Sequence, residues 1–556
     1  MSQRIWDAIV VGSGANGGVA AKTLAELGLS VLVLEAGHPP RSSPGGWRER
    51  VRRVGAQLGQ LLPGSRQAVQ RRHPTYWDSD PELFVDDVDH PYATAPDAPF
   101  HWIRCRVLGG RTHAWDGVTP RMSDHEFLAA SRDGVGVDWP LTHQDLAPHY
   151  DRLERYFRVE GRRDGLPQVP DGRYAGPSEL TRAEDLFRRR AAIDFPERPV
   201  IASRGLPGRR RSGGTPDGDG PPLANVGTTL ADALATGRAQ VRTGAVVQRV
   251  LVAEDGRGVE GVEWVGAETG VLDGARGRMV FLCASTLESV RLLMNSAAPR
   301  EGHPDGLGAD SGVLGHYVMD HIAENLYFQL PDVRPSGDNQ PAGGNAAFMV
   351  PRYRHLDGAE NGGDFLRGFG MWGGIDRMRL PWPLPAFPGE CFGFLSTRGE
   401  VLPRFDNRVE IDPDLVDRWG IPALRIRLRW GDNDLALAAA ARSEARQLIE
   451  AAGGEVAGLD HFIAGPFARG PLEQLEREWQ PSTPGLCVHE LGGARMGDSP
   501  TSSVVDPECA VWGLPNLFVT DGACWPSSGW QNPTLTEMAI TDRAVRRAVA
   551  RGPGVR

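Results

Sequence analysis

Gly12, Gly14 and Gly17, followed further along by Glu35, are the residues whose type and spacing point first to a chemistry: the holding of a dinucleotide. They lie in the turn Gly12-Ser13-Gly14-Ala15-Asn16-Gly17. Gly12 permits a tight turn, Gly14 lets a pyrophosphate approach the backbone, and Gly17 lets a helix pack closely on a strand. Glu35 supplies a carboxylate that accepts from a ribose diol and repels a 2′-phosphate. Three elements must position this set. Ile5 to Val11 is a short, nearly continuous apolar run, as expected of a parallel strand covered on both faces. Ala20, Leu24 and Leu27 recur at helical spacing after the turn, and Gly28 closes a helix whose N-terminus faces the phosphates. Val31 to Leu34 is the second strand, with Glu35 and Ala36 at its end. Gly12, Gly14, Ala15, Asn16, Gly17, Glu35 and Ala36 are therefore candidate cofactor-binding residues. The motif alone leaves FAD and NAD both open.

Length and composition narrow the class. A chain of 556 residues accommodates about two to four domains. It is 40% hydrophobic and 24% charged, and no apolar run is long enough to span a membrane. The first strand begins at Ile5, which leaves no room for a signal peptide before it, so a cytoplasmic protein without a membrane partner is expected. Six cysteines are scattered without Cys-x-x-Cys or Cys/His spacing, so neither a metal site nor a disulfide framework is indicated. A net charge of −10 argues against a nucleic-acid partner. Lys22 is the only lysine and sits in the first helix, which excludes a P-loop, a pyridoxal Schiff base and a lysine base.

From about Pro39 to Pro99 strand signals give way to Arg, Gln, Pro and Asp, marking residues 41–100 as a lid or arm. A second glycine pair follows in Leu108-Gly109-Gly110-Arg111-Thr112-His113-Ala114-Trp115-Asp116. Glycines there let backbone come close to a flat ligand. This stretch resembles the flavin-contacting loop of the glucose-methanol-choline (GMC) oxidoreductases, most of all the branch of pyranose oxidases and bacterial glycoside oxidases. The resemblance implies that Gly109, Gly110, Thr112, His113, Ala114 and Trp115 lie along FAD. Some pyranose oxidases carry a histidine covalently tied to the flavin where this chain has Ala114, so non-covalent FAD is expected. Asp116 replaces a threonine thought to lie near flavin N5. A carboxylate there disfavours negative charge on reduced flavin or superoxide and argues against efficient use of oxygen. By the same resemblance Val247 places its backbone beside the adenine.

Two C-terminal segments also resemble GMC signatures: Cys487-Val488-His489-Glu490-Leu491-Gly492-Gly493-Ala494-Arg495-Met496-Gly497, and Gln531-Asn532-Pro533-Thr534-Leu535-Thr536. By position, His489 matches the catalytic histidine and Asn532 its partner. Oxidation of an alcohol requires removal of a hydroxyl proton as hydride leaves, and a neutral histidine suits that task. Asn532 can hold the same hydroxyl without changing charge. Asn then Pro also opens helices, and a helix from Pro533 through Ala550 aims its positive end at the pocket, where capping would compete for the Asn532 side chain. Asp521 and Gly522, at a strand end, suit a ribityl or pyrophosphate contact, and Asn532, Pro533 and Thr534 complete the cofactor set. The other histidines, His316 and His321 among them, read as structural.

The fold expected is α/β: a discontinuous Rossmann-type FAD-binding domain (1–40, 101–135, 223–325, 500–556) plus an α+β substrate-binding domain with a large, mostly antiparallel sheet (136–204, 326–499). Residues 205–222, rich in Gly, Pro, Arg and Asp, read as a flexible loop. The resemblance implies FAD-dependent oxidation of a secondary hydroxyl of a sugar or glycoside to a ketone, C3 favoured over C2. The expected partners are that small molecule and an electron acceptor such as oxygen or a quinone, and a homo-oligomer stays open. The alternatives are a polyol or alcohol dehydrogenase using a quinone or protein acceptor, and a non-redox flavin lyase of the same fold.

Overall fold

A computed structural model describes residues 4–40, 51–52, 55–56, 59, 64–207, 228–334, 348–356, 364–377, 391–462 and 476–552. Its first layer is an eight-stranded sheet with a parallel centre. Strand Ile5–Val11 lies between Val31–Leu34 and Leu272–Leu282, parallel to both, with Ala8 opposite Val31 on one side and Met279 on the other. Ala239–Arg242 and Leu514–Val519 extend the parallel set outward. The β-branched and leucine-rich runs of these strands are buried on both faces, as a parallel sheet between helices requires. Helix Ala15–Glu26 and the C-terminal helix Thr534–Arg551 pack side by side on one face. The layer is thus assembled from the two ends and the middle of the chain.

A second sheet of six strands is antiparallel at every pairing. Its central strand, Cys391–Gly399, lies between Asn325–Leu330 and Phe369–Ile375. Side chains alternate across it. Leu326, Phe328, Leu395 and Met371 are buried on the face covered by helix Asp432–Ala451, while Tyr327, Phe394, Ser396, Arg398 and Trp372 share the opposite face. This is the two-layer α/β arrangement expected, a parallel nucleotide-type sheet joined to an antiparallel one.

Several boundaries differ from the sequence reading for local reasons. In sequence, Asp138 to Glu160 reads as an amphipathic helix entered through Trp139-Pro140, but it is helical only over His143–Phe157, because Thr142 and Asp145 close the N-terminus: Thr142 N–H and Oγ1 donate to Asp145 Oδ2 at 2.9 and 2.8 Å. Val241 to Val247 likewise reads as a single strand and is instead parts of two, Ala239–Arg242 and Ala245–Val252. The break serves Glu35, whose N–H donates to Arg242 O while its carbonyl accepts from Ala245 N–H. The terminal helix begins at Thr534, with Pro533 as its cap residue and no side chain capping it. Residues 208–222 of the expected flexible loop lie outside the described residues, and Gly205 pairs with Val118 and Glu160. Trp382 and Phe387 also lie outside them. In the expected arm, Tyr76, Leu83 and Phe84 form a small core with Ile103 and Val107, directly before the second glycine pair. Among the described residues no helix is long and apolar enough to cross a membrane.

Asp542 ties the helices together. It accepts from Thr23 Oγ1 at 3.0 Å, His149 Nδ1 at 2.7 Å, and Arg152 and Arg546 Nε at 3.0 Å. Burial alone would raise its pKa, but hydrogen bonds from His149, Arg546 and Arg152 hold it well below the ordinary 3.8. The stabilisation is therefore present above pH 3.8 and is lost as pH falls through the lowered value. Asp542→Asn is expected to cost about 3 kcal/mol at neutral pH, measured by urea unfolding, with the gap from the parent closing in strong acid.

Candidate functional site

The glycine turn is built as its motif requires. Gly12 has φ +97°, and a Cβ there would meet the Cys283 carbonyl oxygen at 2.3 Å. A Cβ on Gly17 would stand 2.0 Å from the Gly12 carbonyl oxygen. By contrast, a Cβ on Gly14 meets nothing within 4 Å, so the middle of the turn faces open space. Ser13 bridges this turn to two other segments: its N–H and hydroxyl donate to Glu35 Oε2 at 3.1 and 2.5 Å, and its Oγ accepts from Gly109 N–H at 2.9 Å. Gly37 N–H donates to Glu35 Oε1 at 2.7 Å. A carboxylate has about four acceptor positions, so three bonds leave one for a ribose hydroxyl. Ala36 packs with Val246 and Val265, and neighbouring Val247 is paired with Trp264 across the hairpin.

The second glycine pair lies against the first. A Cβ on Gly110 would come 3.5 Å from Gly14 Cα. Thr112 Oγ1 donates to Gly109 O at 2.6 Å, and His113 Nε2 donates to Leu108 O at 2.8 Å, so both side chains brace their own loop. Ala114 follows, and Trp115 packs against the main core. Beside the turn, Asn16 Nδ2 donates to Thr520 O at 3.3 Å and Glu537 Oε2 at 3.1 Å, while its Oδ1 is buried without a partner. Asp521 accepts from Ser289 Oγ at 2.5 Å and Ala523 N–H at 3.1 Å, next to Gly522. Burial raises Asp521 to about 6, and burial plus the Asp521 charge raises Glu537 to about 7. Pro533 and Thr534 stand at the positive end of the terminal helix.

His489 and Asn532 meet: Asn532 Nδ2 is 3.5 Å from His489 Nε2. Because Asn532 does not cap the helix, its amide is available to a ligand. Behind His489 stands His321, which the sequence reading left as structural. The two Nδ1 atoms are 2.7 Å apart with the rings nearly perpendicular, and His321 Nε2 makes a short hydrogen bond to Gly529 O. A carbonyl only accepts, so His321 Nε2 carries the hydrogen. Burial pushes His321 down to about 3, so it is neutral and its Nδ1 is bare. That nitrogen accepts from His489 Nδ1–H, which leaves the lone pair of His489 Nε2 directed beside Asn532. Burial, helped by His321, Arg398 and Arg111, holds His489 well below its ordinary 6.5.

Asp320 sets the positions of both rings. Its Oδ1 accepts from the backbone N–H of His321 at 2.8 Å and of His489 at 3.1 Å, and its Oδ2 from Gly485 N–H at 2.8 Å. Val488, just before His489, has φ +54°, a strained value for a β-branched residue, and Arg111 Nη1 holds its carbonyl at 3.1 Å. Neither His321 nor Asp320 carries a local sequence signal of its role. Tertiary pairing, including the backbone bridge between Met319 and Leu491, brings them to His489. His321→Leu, which removes the acceptor, is expected to lower kcat about 10- to 100-fold with little change in KM, and His321→Gln, which restores one, to recover much of it.

Comparisons with known proteins show resemblance in sequence and in fold. Residues 403–541 match the family described as GMC oxidoreductase. The chain is similar to 2-methyl-1,2-propanediol dehydrogenase of Mycolicibacterium austroafricanum, 28% identical and covering 97% of this chain and 94% of the relative. It is also similar to C-glycoside 3-oxidase of Microbacterium trichothecenolyticum, 26% identical and covering 98% of each. Among solved structures it matches pyridoxine 4-oxidase from Mesorbium loti with a TM-score of 0.61 and 20% identity, over 98% of this chain and 99% of that one.

Proposed function

We propose, for a chain that belongs to the GMC oxidoreductases and is an enzyme of that family, that it oxidises a secondary hydroxyl of a sugar or glycoside to a ketone, at C3 in preference to C2. The observation that carries the reading is the bare Nε2 of His489 facing the Asn532 amide at 3.5 Å, with its tautomer set from behind. Nε2 takes the hydroxyl proton, and Asn532 holds the same oxygen in place. The low basicity of His489 keeps it ready to accept at neutral pH.

FAD is the cofactor that fits. The space beside Gly14, the Asn16 Oδ1 without a partner among the described residues and the spare acceptor position of Glu35 form a cradle with unused acceptors. Gly12, Gly14, Ala15, Asn16 and Gly17 would hold its pyrophosphate, Glu35 and Ala36 its ribose, and Val247 its adenine. The Gly109–Trp115 loop, Asp521, Gly522, Asn532, Pro533 and Thr534 would hold the remainder. When bound, FAD supplies the acceptor for the carbinol hydride. Binding is non-covalent in this reading, since Ala114 offers no nucleophile and His113 is committed to Leu108 O.

The similarity to a diol dehydrogenase favours one second reading, oxidation of a small polyol with electrons passed to a quinone or protein. The test is to mix the purified protein, without oxygen, with free sugars, O- and C-glycosides and small diols while following the visible flavin band. Bleaching by sugars supports the first reading, bleaching by diols alone the second. A protein that carries no flavin would sink both.

A further inference from the structure

Five of the buried arginines face carboxylates. Arg121 pairs with Glu154, Arg204 with Asp171, Arg291 with Asp417, Arg352 with Glu400 and Arg367 with Asp133. Arg398 does not. It is 7% exposed, its Nη1 donates to Ser396 Oγ and Thr397 O, and its Nε is buried with no acceptor. No carboxylate pairs with it among the described residues. A buried guanidinium without a counter-ion is costly, and an anion arriving from outside removes that cost.

Its place in the fold says where such an anion would come from. Arg398 lies opposite Gly370 on the sheet face turned away from helix Asp432–Ala451. The Trp530 ring covers Gly370 so closely that a Cβ there would meet Trp530 Cε3 at 2.0 Å, and Trp530 is two residues from Asn532. The Trp372 ring, on the same face, lies 5.2 Å from the guanidinium and meets Phe394 edge-on at 5.3 Å. Both indole Nε1 groups, of Trp372 and Trp530, are buried donors without acceptors. The positive field of Arg398 also reaches His321 and His489 and lowers both. Three buried donors, one of them charged and acting on the reacting histidines, thus share one sheet face with no acceptor among the described residues.

We propose that Arg398, with Trp372 and Trp530, forms an anion subsite and that the favoured substrates are acidic sugars, whose carboxylate binds Arg398 while a hydroxyl lies at His489 Nε2. This rests on the sugar-oxidation reading above. A guanidinium grips a carboxylate through paired N–H donors, which a neutral sugar hydroxyl cannot reproduce.

The experiment uses the flavin-loaded protein and two probes, methyl glucoside and its carboxylated counterpart, the methyl glycoside of glucuronate (glucuronate below), with binding read by calorimetry and reaction by anaerobic bleaching. Glucuronate is expected to bind at least tenfold more tightly than methyl glucoside. Arg398→Gln is expected to erase that difference and Arg398→Lys to keep part of it. Equal binding of the two probes by the parent protein, or equal weakening of both by Arg398→Gln, overturns the subsite. Tight Arg398-dependent binding of glucuronate with no bleaching by any sugar supports the subsite while removing the oxidation reading. Bleaching by neutral sugars with no glucuronate binding does the reverse.

Discussion

His489→Ala lowers the rate of anaerobic flavin bleaching at saturating substrate about a thousand-fold, the scale lost when a positioned general base is removed. Substrate affinity changes little, because Asn532 still faces the same point and the hydrogen bond through Nδ1 points away from it. The pH profile of the parent enzyme carries a second expectation. An ordinary histidine base loses activity as pH falls past 6.5, when it becomes protonated. Burial, with His321, Arg398 and Arg111 in support, lowers the His489 pKa well below that value. The base form therefore persists, and the bleaching rate stays level from pH 8 down to pH 6. A parent profile that halves near pH 6.5 would show that His489 is not the base, or that its proton is not held off in this way.

Gly17→Ala yields a protein without yellow colour. A methyl group at this position stands 2.0 Å from the Gly12 carbonyl oxygen, a backbone atom that rotation of a side chain cannot move away. Relief requires the helix Ala15–Glu26 to withdraw from strand Ile5–Val11, and with it the backbone N–H groups that meet the phosphates. Overpacking of this kind costs about 2–3 kcal/mol, which placed on the cofactor is roughly a hundred-fold in its Kd. Gly14→Ala is the contrast, since its added methyl meets no protein atom. It should leave the melting temperature of the cofactor-free protein unchanged and weaken FAD binding alone. Absorbance at the flavin band after purification, with thermal melts of the stripped proteins, separates the two.

What could be read in advance was what the chain encodes locally. The turn at Gly12–Gly17 carries glycines that backbone geometry demands at Gly12 and Gly17, and strand, turn and helix follow one another without a break. In sequence, the apolar run Met279 to Ala284 followed by Thr286 to Asn295 reads as a strand and then a helix, and the helix Thr286–Asn295 has those same ends. The order of His489 and Asn532 was legible because both lie inside extended signatures. What escaped was tertiary. His321 bonds across 168 positions to His489, and nothing in Val318-Met319-Asp320-His321 distinguishes a ring that sets a tautomer from one that fills space. Arg398 is one of many arginines in a chain with a single lysine, so only its place beside His321 and His489, without a facing carboxylate, singles it out. The split between Arg242 and Ala245 was invisible for a similar reason. It answers to the backbone of Glu35, which lies on another strand.

The assembly of the parallel sheet from both ends of the chain also has a kinetic meaning. Strand Ile5–Val11 gains its neighbour Leu272–Leu282 only after half the chain exists, and Leu514–Val519 joins that neighbour near the very end. Asn16 reaches Thr520 and Glu537 across more than 500 positions. Pairings of such sequence separation make folding slow and leave the early segments exposed while the ribosome works. The glycine turn is synthesised first and completed last, so cofactor uptake is expected only from a finished chain. Shortening that chain even by its final helix leaves the nucleotide cradle without the far wall supplied by Glu537.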